Sequence, residues 1–233
     1  DWDALERYLR GREKEGLYRE VGVDHGFFYL KLTDLRGFEN FMIDVAEERK
    51  ELFELADRLC DYWCRVVVRY VQLGVDIISF PDDLGHQSSF PFDPVFWRKL
   101  LKPRYKKIFD LCRNNGVEVY FHTDGYILPV IGDLIEAGVT ILNPQDIVNG
   151  LENLKQLIDR RIALYLDIDR QNTTFFGTKV QIERHVENCV KTLGSPQGGL
   201  MFNFGAWPGT PYQNVGYIIE SFEKFFDWWA IKS

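Results

Sequence analysis

The sequence alternates between short apolar runs and longer helical patterns, and this alternation repeats six times. The longest helical pattern runs from about Ala46 to Leu73, and Gly74 then ends it, as is typical of a helix C-terminus. Strands that alternate with helices pair in parallel, and uninterrupted apolar strands are buried on both faces. The pattern therefore predicts an α/β fold with a parallel sheet. The predicted strands are 26–30, 75–80, 117–121, 139–142, 162–166 and 200–204.

Two parallel architectures fit this order, and the loops distinguish them. A doubly wound dinucleotide-binding sheet carries a glycine-rich phosphate loop after a strand, and no predicted strand here is followed by one. Polar residues cluster after the strands instead, as they do in (β/α)8 TIM barrels. A closed barrel needs eight strands and ~250 residues, whereas this chain has 233 residues and six predicted strands. We predict one barrel-type domain over residues 1–233 that lacks its first two β/α units, with a neighbouring segment or subunit covering the open edges.

Charge and cysteine content exclude several classes of protein. The net charge of -7 argues against a nucleic-acid-binding protein. No apolar run approaches the ~18 residues of a membrane span, and we find no secretory signal. The four cysteines are expected to be free thiols on helices, which predicts a cytoplasmic protein. Cys60 and Cys64 lie one turn apart, but no second pair completes a metal site.

One segment, Glu118–Gly125, concentrates chemistry at the end of a predicted strand. The apolar run ends in His122, Thr123, Asp124 and Gly125, and a new helical pattern follows. His and Asp at a strand end can bind a metal, relay a proton or hold a polar substrate. The alternative is a hydrogen-bonded pair that shapes the loop, with the aspartate capping the next helix.

Polar groups also follow the other predicted strands, and in a barrel these loops converge on one face. Carboxylates that lie close together repel, which raises some of their pKa values unless a cation neutralises them. That repulsion favours a metal or a cationic substrate. We expect His25 and His185 to be surface or boundary residues, and Asp167 to face away from the site because strand neighbours alternate. The candidates are Asp82, Asp83 and Asp169 for catalysis, His122 and Asp124 for a metal, and His86, Gln87, Tyr126, Asn143, Gln145, Gln171, Asn203 and Trp207 for substrate.

The order of these motifs resembles the uroporphyrinogen decarboxylase superfamily. The resemblance runs from Gly26 to about Phe226 and matches the last six of the family's eight strand units. The motifs are Asp82-Asp83-Leu84-Gly85, Phe121-His122-Thr123-Asp124-Gly125, Leu142-Asn143-Pro144-Gln145, Asp167-Ile168-Asp169-Arg170-Gln171, Phe176-Gly177-Thr178 and the final Thr210-Pro211 with Asn214. The family contains uroporphyrinogen III decarboxylase and zinc-dependent methyltransferases that act on corrinoid proteins, methylcobamide or coenzyme M. The set of motifs is specific for the superfamily and poorly specific for the reaction.

The departures from the family pattern bear on the reaction. The decarboxylases place essential arginines and an aspartate in the first two units, which this sequence does not contain. The methyltransferases have His-x-Cys-Gly and a second Cys after the last strand, both binding zinc as thiolates. Here Asp124 and Ala206 stand at those places, so that thiolate site is excluded. A site of His122, Asp124 and Asp82 or Asp83 remains open, because zinc accepts carboxylate ligands.

The resemblance implies an enzyme, and it leaves three functions open. The first is metal-assisted methyl transfer, with zinc as cofactor and a corrinoid or corrinoid protein as substrate or partner. The second is decarboxylation of a tetrapyrrole, in which a carboxylate stabilises a protonated pyrrole without a metal; an arginine-bearing first unit upstream of Asp1 would favour it. The third is a non-catalytic binding barrel. The resemblance also implies a possible homodimer.

Overall fold

The computed structural model describes residues 1–228, and its helices and strands alternate along the chain. The strands are β1 Glu20–Gly22, β2 Ile77–Pro81, β3 Glu118–Thr123, β4 Ile141–Pro144, β5 Ala163–Asp167 and β6 Leu200–Asn203. The helices are α1 Trp2–Lys14, α2 Tyr29–Arg36, α3 Phe38–Ala46, α4 Lys50–Gln72, α5 Pro94–Leu100, α6 Lys102–Arg113, α7 Ile131–Ala137, α8 Asp146–Asn149, α9 Leu151–Ile158, α10 Thr173–Phe176, α11 Lys179–Leu193 and α12 Tyr212–Phe225. A 3-10 turn, Leu128–Val130, precedes α7.

The strands form one sheet in which their order follows the chain. β1 pairs in parallel with β2, β2 with β3, and β5 with β6. In the register between β2 and β3, Pro81 lies opposite His122, so these two strands end side by side. The predicted α/β fold with a parallel sheet is confirmed.

The chain divides into two compact units, Asp1–Ile141 and Leu142–Ser233. The core of the first unit is an aromatic cluster formed by side chains from β2, α6, β3 and the loop after β1. Phe27 stacks on Tyr105 with ring centroids 5.3 Å apart, and Phe80 lies 5.0 Å from Phe109. Phe121 contacts Tyr105 at 5.8 Å, and all five rings are buried. Some of the many aromatic residues of the sequence thus form a continuous core beneath the ends of β2 and β3.

The prediction of a strand at 26–30 is wrong. Gly26, Phe27 and Phe28 form a buried loop, and helix α2 begins at Tyr29. The reason is a long-range contact, since the Asp82 carboxylate accepts the backbone N–H groups of Tyr29 and Leu30, at 2.6 and 3.0 Å. A carboxylate at a helix N-terminus satisfies donors that the helix leaves free. The strand of this region is instead the short β1, Glu20–Gly22.

The predicted helix from about Ala46 to Leu73 is confirmed as α4, Lys50–Gln72. The preceding helix α3 ends at Ala46, and Glu48, with φ of 48°, takes a left-handed backbone between the two helices. The expected break near Pro103 is confirmed, since α5 ends at Leu100 and α6 begins at Lys102. Proline fits the first turn of α6, where its missing N–H costs nothing.

The second unit packs α11 and α12 over an apolar core that includes Ile168, Ile182 and Ile218. Thr178 begins α11 with a capping box, in which its hydroxyl oxygen accepts the Gln181 N–H and the Gln181 side chain accepts the Thr178 N–H. The predicted helix 178–193 is therefore confirmed. The helix predicted to end near Trp229 is α12, Tyr212–Phe225, and Trp229 lies outside the described residues. Within residues 1–228, no helix is long and apolar enough to span a membrane.

Candidate functional site

The ends of β2 and β3 are tied together by backbone hydrogen bonds. The Asp82 N–H donates to the His122 carbonyl at 2.9 Å, and the Gly85 N–H donates to the Asp124 carbonyl at 3.1 Å. These bonds extend the parallel ladder past the end of β2. They place Asp83 beside His122, although the two residues are far apart in sequence.

Two glycines allow this close approach of the loops. A Cβ atom on Gly125 would lie 2.1 Å from the Gly85 carbonyl oxygen, and Gly125 has φ of +82°. A Cβ atom on Gly85 would lie 2.4 Å from the Tyr126 nitrogen. Both positions exclude a side chain, and the positive φ at Gly125 adds a second reason for glycine there. The glycine that follows His122-Thr123-Asp124 in the motif thus has a local structural role.

Three side chains meet above this junction, and we call them the His25–Asp83–His122 cluster. Nε2 of His25 lies 3.3 Å from Oδ2 of Asp83, and Nε2 of His122 lies 3.6 Å from Oδ1 of Asp83. One ligand atom from each residue lies within 4.8 Å of the other two. Imidazole nitrogens and carboxylate oxygens are ligands of zinc.

The spacing of the cluster suits a single ion. Two nitrogen or oxygen ligands at ~2.0–2.1 Å from a tetrahedral zinc are about 3.3 Å apart. Nε2 of His25 and Nε2 of His122 lie 3.3 and 3.6 Å from Oδ2 and Oδ1 of Asp83, respectively. The side chains of His122 and Asp83 are 20% and 26% exposed, and that of His25 is 61% exposed. The cluster is therefore open to solvent on the side of His25, where a substrate atom could reach an ion.

Asp124, predicted as a metal ligand, lies next to the cluster. Its carboxylate is 3.7 Å from Nε2 of His122, and its backbone N–H donates to Oδ1 of Asp83 at 3.1 Å. Asp124 is thus placed both to orient Asp83 and to stabilise a cation near His122. Of the other candidates in this unit, Tyr126 is half-buried, whereas His86 and Gln87 are exposed in the loop after β2.

Asp82, predicted as catalytic, lies below the cluster and is fully buried. Besides the two N–H groups of α2, it accepts the Tyr105 hydroxyl at 2.6 Å. Burial raises the pKa of Asp82 to about 6, and the three hydrogen bonds act against that rise. Burial, together with the Asp82 charge, also raises the pKa of Tyr29 to about 12. The structure places Asp82 where it supports α2, while Asp83 faces the cluster.

In the second unit, Asp169 organises the loop after β5. Its carboxylate accepts the N–H groups of Gln171, Asn172 and Thr173, at 3.0, 3.2 and 2.8 Å. Burial favours the neutral acid, but these hydrogen bonds prevail and lower the pKa of Asp169 below its ordinary value. Asp169 thus anchors the start of α10, the same kind of contact that Asp82 makes with α2.

The remaining candidates of the second unit differ in exposure. Asn143 and Gln145 are buried, and the Asn143 amide donates to the Tyr165 carbonyl. Gln171 and Trp207 are exposed, with the Arg170 guanidinium 5.8 Å from the Trp207 ring centroid. Asn203 lies opposite Asp167 in the register of β5 and β6. Asp167, expected to face away from a site, is buried and pairs with Arg170 at 3.2 Å.

Sequence reasoning missed His25, which was expected at the surface. The residue follows the short strand β1 and precedes Gly26, so it occupies a strand end like Asp83 and His122. The position of His25 at a strand end was missed because the strand was predicted after His25 instead of before it. A strand at 20–22 would have placed three strand-end ligands on consecutive strands.

Comparison with known proteins agrees with this fold. The chain is 24% identical over 184 residues to uroporphyrinogen decarboxylase of Parasynechococcus marenigrum, covering 75% of this chain and 49% of the relative. It is 25% identical over 167 residues to the same enzyme of a Synechococcus species, covering 69% of this chain and 45% of that one. The chain thus spans about half the length of these curated relatives.

A solved structure gives the architecture. The methyltransferase from Methanosarcina mazei matches with a TM-score of 0.73 and 20% identity, over 97% of this chain and 64% of that chain. This likeness shows the fold, a partial (β/α)8 barrel. The family model for uroporphyrinogen decarboxylase matches residues 32–225, well over half of the chain. The protein therefore belongs to the uroporphyrinogen decarboxylase family.

Proposed function

We propose that the protein is a metal-assisted methyltransferase of the corrinoid-linked type, in which the His25–Asp83–His122 cluster holds zinc. The observation that carries this proposal is the convergence of two imidazole nitrogens and a carboxylate at consecutive strand ends, all within 4.8 Å. Strand ends are where barrel enzymes place their chemistry. The name of the solved relative, a methyltransferase from Methanosarcina mazei, supports the same reaction class.

Each residue of the cluster has a role in this proposal. His122 is fixed by β3 and Asp83 by the Asp124 N–H, so both ligands are held in place without the ion. Asp83 would reduce the net charge of the bound ion, and Asp124 would add a second carboxylate beside His122. When bound, zinc would act as a Lewis acid on the heteroatom of the methyl donor or acceptor, lowering its pKa or improving it as a leaving group. The partner would be a corrinoid or a corrinoid protein.

Metal analysis tests the proposal directly. We expect His122→Ala, His25→Ala and Asp83→Asn each to lower the zinc content of the purified protein by about one ion per chain, because a site with two protein ligands binds zinc weakly. His86→Ala is the matched control, since this exposed histidine lies in the same loop region but outside the cluster. Circular dichroism checks that each variant is folded. Zinc content that stays at the wild-type value in all three variants would refute the site.

Decarboxylation is the second candidate, because both curated relatives carry that name. Asp83 would then stabilise a protonated pyrrole, a role that needs no metal. Two assays distinguish the reactions. Thiol-dependent demethylation of methylcobalamin, followed by its absorption, reports methyl transfer, and carbon dioxide release from uroporphyrinogen III reports decarboxylation. Activity in neither assay, from protein that retains zinc, would favour the third function, a non-catalytic binding barrel.

A further inference from the structure

We propose that Asp146, His185 and Cys189 form a second metal site, in which one oxygen, one nitrogen and one sulfur bind a zinc-type divalent ion. The three residues lie in the second unit and are separate from the His25–Asp83–His122 cluster. We call them the Asp146–His185–Cys189 site. It rests on different residues from those of the proposed function and does not depend on it.

The fold brings the three ligand atoms together from two elements. Asp146 is the first residue of α8, directly after β4, whereas His185 and Cys189 are one turn apart on the same face of α11. Nε2 of His185 lies 2.6 Å from Oδ2 of Asp146 and 3.9 Å from Sγ of Cys189. All three ligand atoms lie within 4.8 Å of one another.

The direction of these contacts favours an ion over a catalytic triad. A Cys-His-Asp triad uses the two ring nitrogens separately, one facing the nucleophile and the other facing the acid. Here Nε2 of His185 faces both Asp146 and Cys189. Around a tetrahedral zinc, adjacent ligands are about 3.3–3.6 Å apart. Metal binding would therefore lengthen the contact between His185 and Asp146 and shorten the contact between His185 and Cys189, each by less than ~1 Å.

The carboxylate is already oriented for this role. Oδ2 of Asp146 accepts the Asp169 N–H at 3.2 Å, and Oδ1 accepts the Ile147 N–H. Outer hydrogen bonds of this kind fix the direction of a metal ligand. Asp146 and Cys189 are both buried. A bound cation would stabilise the thiolate form of Cys189.

An ion can reach the site from the surface. His185 is 13% exposed and, together with Asn188, lines two clefts of about 820 and 370 Å³. The larger cleft is also lined by Arg184 and Lys191. A fourth ligand, water or an anion, could complete the coordination from that side. The site thus has buried oxygen and sulfur ligands and one histidine at the boundary with solvent.

Cobalt substitution tests the proposal, because a thiolate bound to Co²⁺ gives an intense near-ultraviolet charge-transfer band and the first cluster contains no sulfur ligand. We expect the band when Co²⁺ is added to the metal-free protein. Cys189→Ser and His185→Gln should remove it and lower zinc binding by one ion per chain. Cys64→Ser is the matched control, since Cys64 is a half-buried free thiol on α4. It should retain the band.

The two metal proposals can fail separately. His122→Ala should retain the cobalt band while losing zinc from the first cluster. In the His122→Ala background, added zinc should still raise Tm, and this shift should disappear when His185→Gln is added.

A cobalt band that survives Cys189→Ser, or one that is lost in Cys64→Ser, overturns the second site. So does the absence of a band from folded protein in excess Co²⁺. If Cys189→Ser does not fold, the loss of the cobalt band in His185→Gln tests the same site.

Discussion

The adjacent residues Asp82 and Asp83 have opposite environments. Asp82 is fully buried next to Tyr105 of the aromatic core and accepts three hydrogen bonds, whereas Asp83 reaches the two histidines. Alternation along an extended backbone turns neighbouring side chains to opposite sides. The carboxylate needed for local structure and the one available for chemistry are therefore consecutive in the chain.

We expect Tyr105→Phe to destabilise the protein through Asp82. The change keeps the ring in the core but removes the hydroxyl that donates to the carboxylate at 2.6 Å. Loss of a hydrogen bond to a buried charged group costs about 1–3 kcal/mol. Urea unfolding at pH 7 measures this cost. Tyr62→Phe on exposed α4 surface is the control, with an expected change within ~0.5 kcal/mol.

The raised pKa of Asp82 predicts a pH dependence with a definite sign. Because this pKa moves from 3.8 to about 6 on folding, the folded protein holds the proton more tightly between those values. The free energy of unfolding of the wild-type protein, relative to that of Asp82→Asn, should therefore be largest below about pH 4. It should fall by up to ~3 kcal/mol as pH rises to about 6. Urea unfolding of both proteins at pH 4.5, 5.5 and 6.5 tests this. A difference that grows with pH would contradict the raised pKa.

At the scale of elements, two loops carry the candidate site, and their backbone contact depends on glycine. Gly125→Ala would place Cβ against the Gly85 carbonyl in a backbone with φ of +82°. We expect a loss of more than about 2 kcal/mol in the free energy of unfolding, together with loss of zinc from the first cluster. Thermal unfolding and metal analysis measure the two effects.

Gly132→Ala is the control for that substitution. Gly132 lies in α7, and a Cβ atom there would meet nothing within 4 Å. Alanine should stabilise the helix by up to ~1 kcal/mol and leave the zinc content unchanged. If Gly125→Ala behaved in the same way as Gly132→Ala, the close loop contact would have no energetic role.

Most elements could be predicted from the sequence, and the exceptions have physical causes. Strands β2 to β6 follow apolar runs whose pattern is local, so periodicity finds them. The region 26–30 has the same apolar pattern, but Asp82 stabilises a helix N-terminus there from 52 or 53 residues away. No local pattern contains that contact. The same error displaced β1 and removed His25 from the set of strand-end residues.

For the whole molecule, the two proposed metal sites predict a simple stoichiometry. Each site draws all of its ligands from one unit, His25, Asp83 and His122 from the first and Asp146, His185 and Cys189 from the second. We expect about two zinc ions per wild-type chain, about one in His122→Ala or His185→Gln, and none in the double variant. Equilibrium dialysis followed by elemental analysis gives these numbers. A single variant that loses both ions would show that the sites are not independent.

The sequence singles out two residues of the first cluster, Asp83 and His122, and no residue of the second site. His122 and Asp83 stood out because each follows a predicted strand, and parallel strands end at the same edge of a sheet. His185 and Cys189 lie inside a helix, where an i, i+4 pair is also common packing. Only the distance between α8 and α11 distinguishes a ligand pair from such packing, and no sequence pattern contains that distance. The single domain predicted over residues 1–233 stays a prediction.

The Asp82 contact with α2 also sets an order for folding during synthesis. Tyr29 and Leu30 leave the ribosome more than 50 residues before the carboxylate that holds them, and Tyr105 follows 23 residues after Asp82. At translation rates of about 5–20 residues per second, α2 waits several seconds for its stabilising partners. During that interval Phe27 and Phe28 lack the core that buries them. The aromatic core of the first unit therefore cannot be completed until β3, which contributes Phe121, has been synthesised.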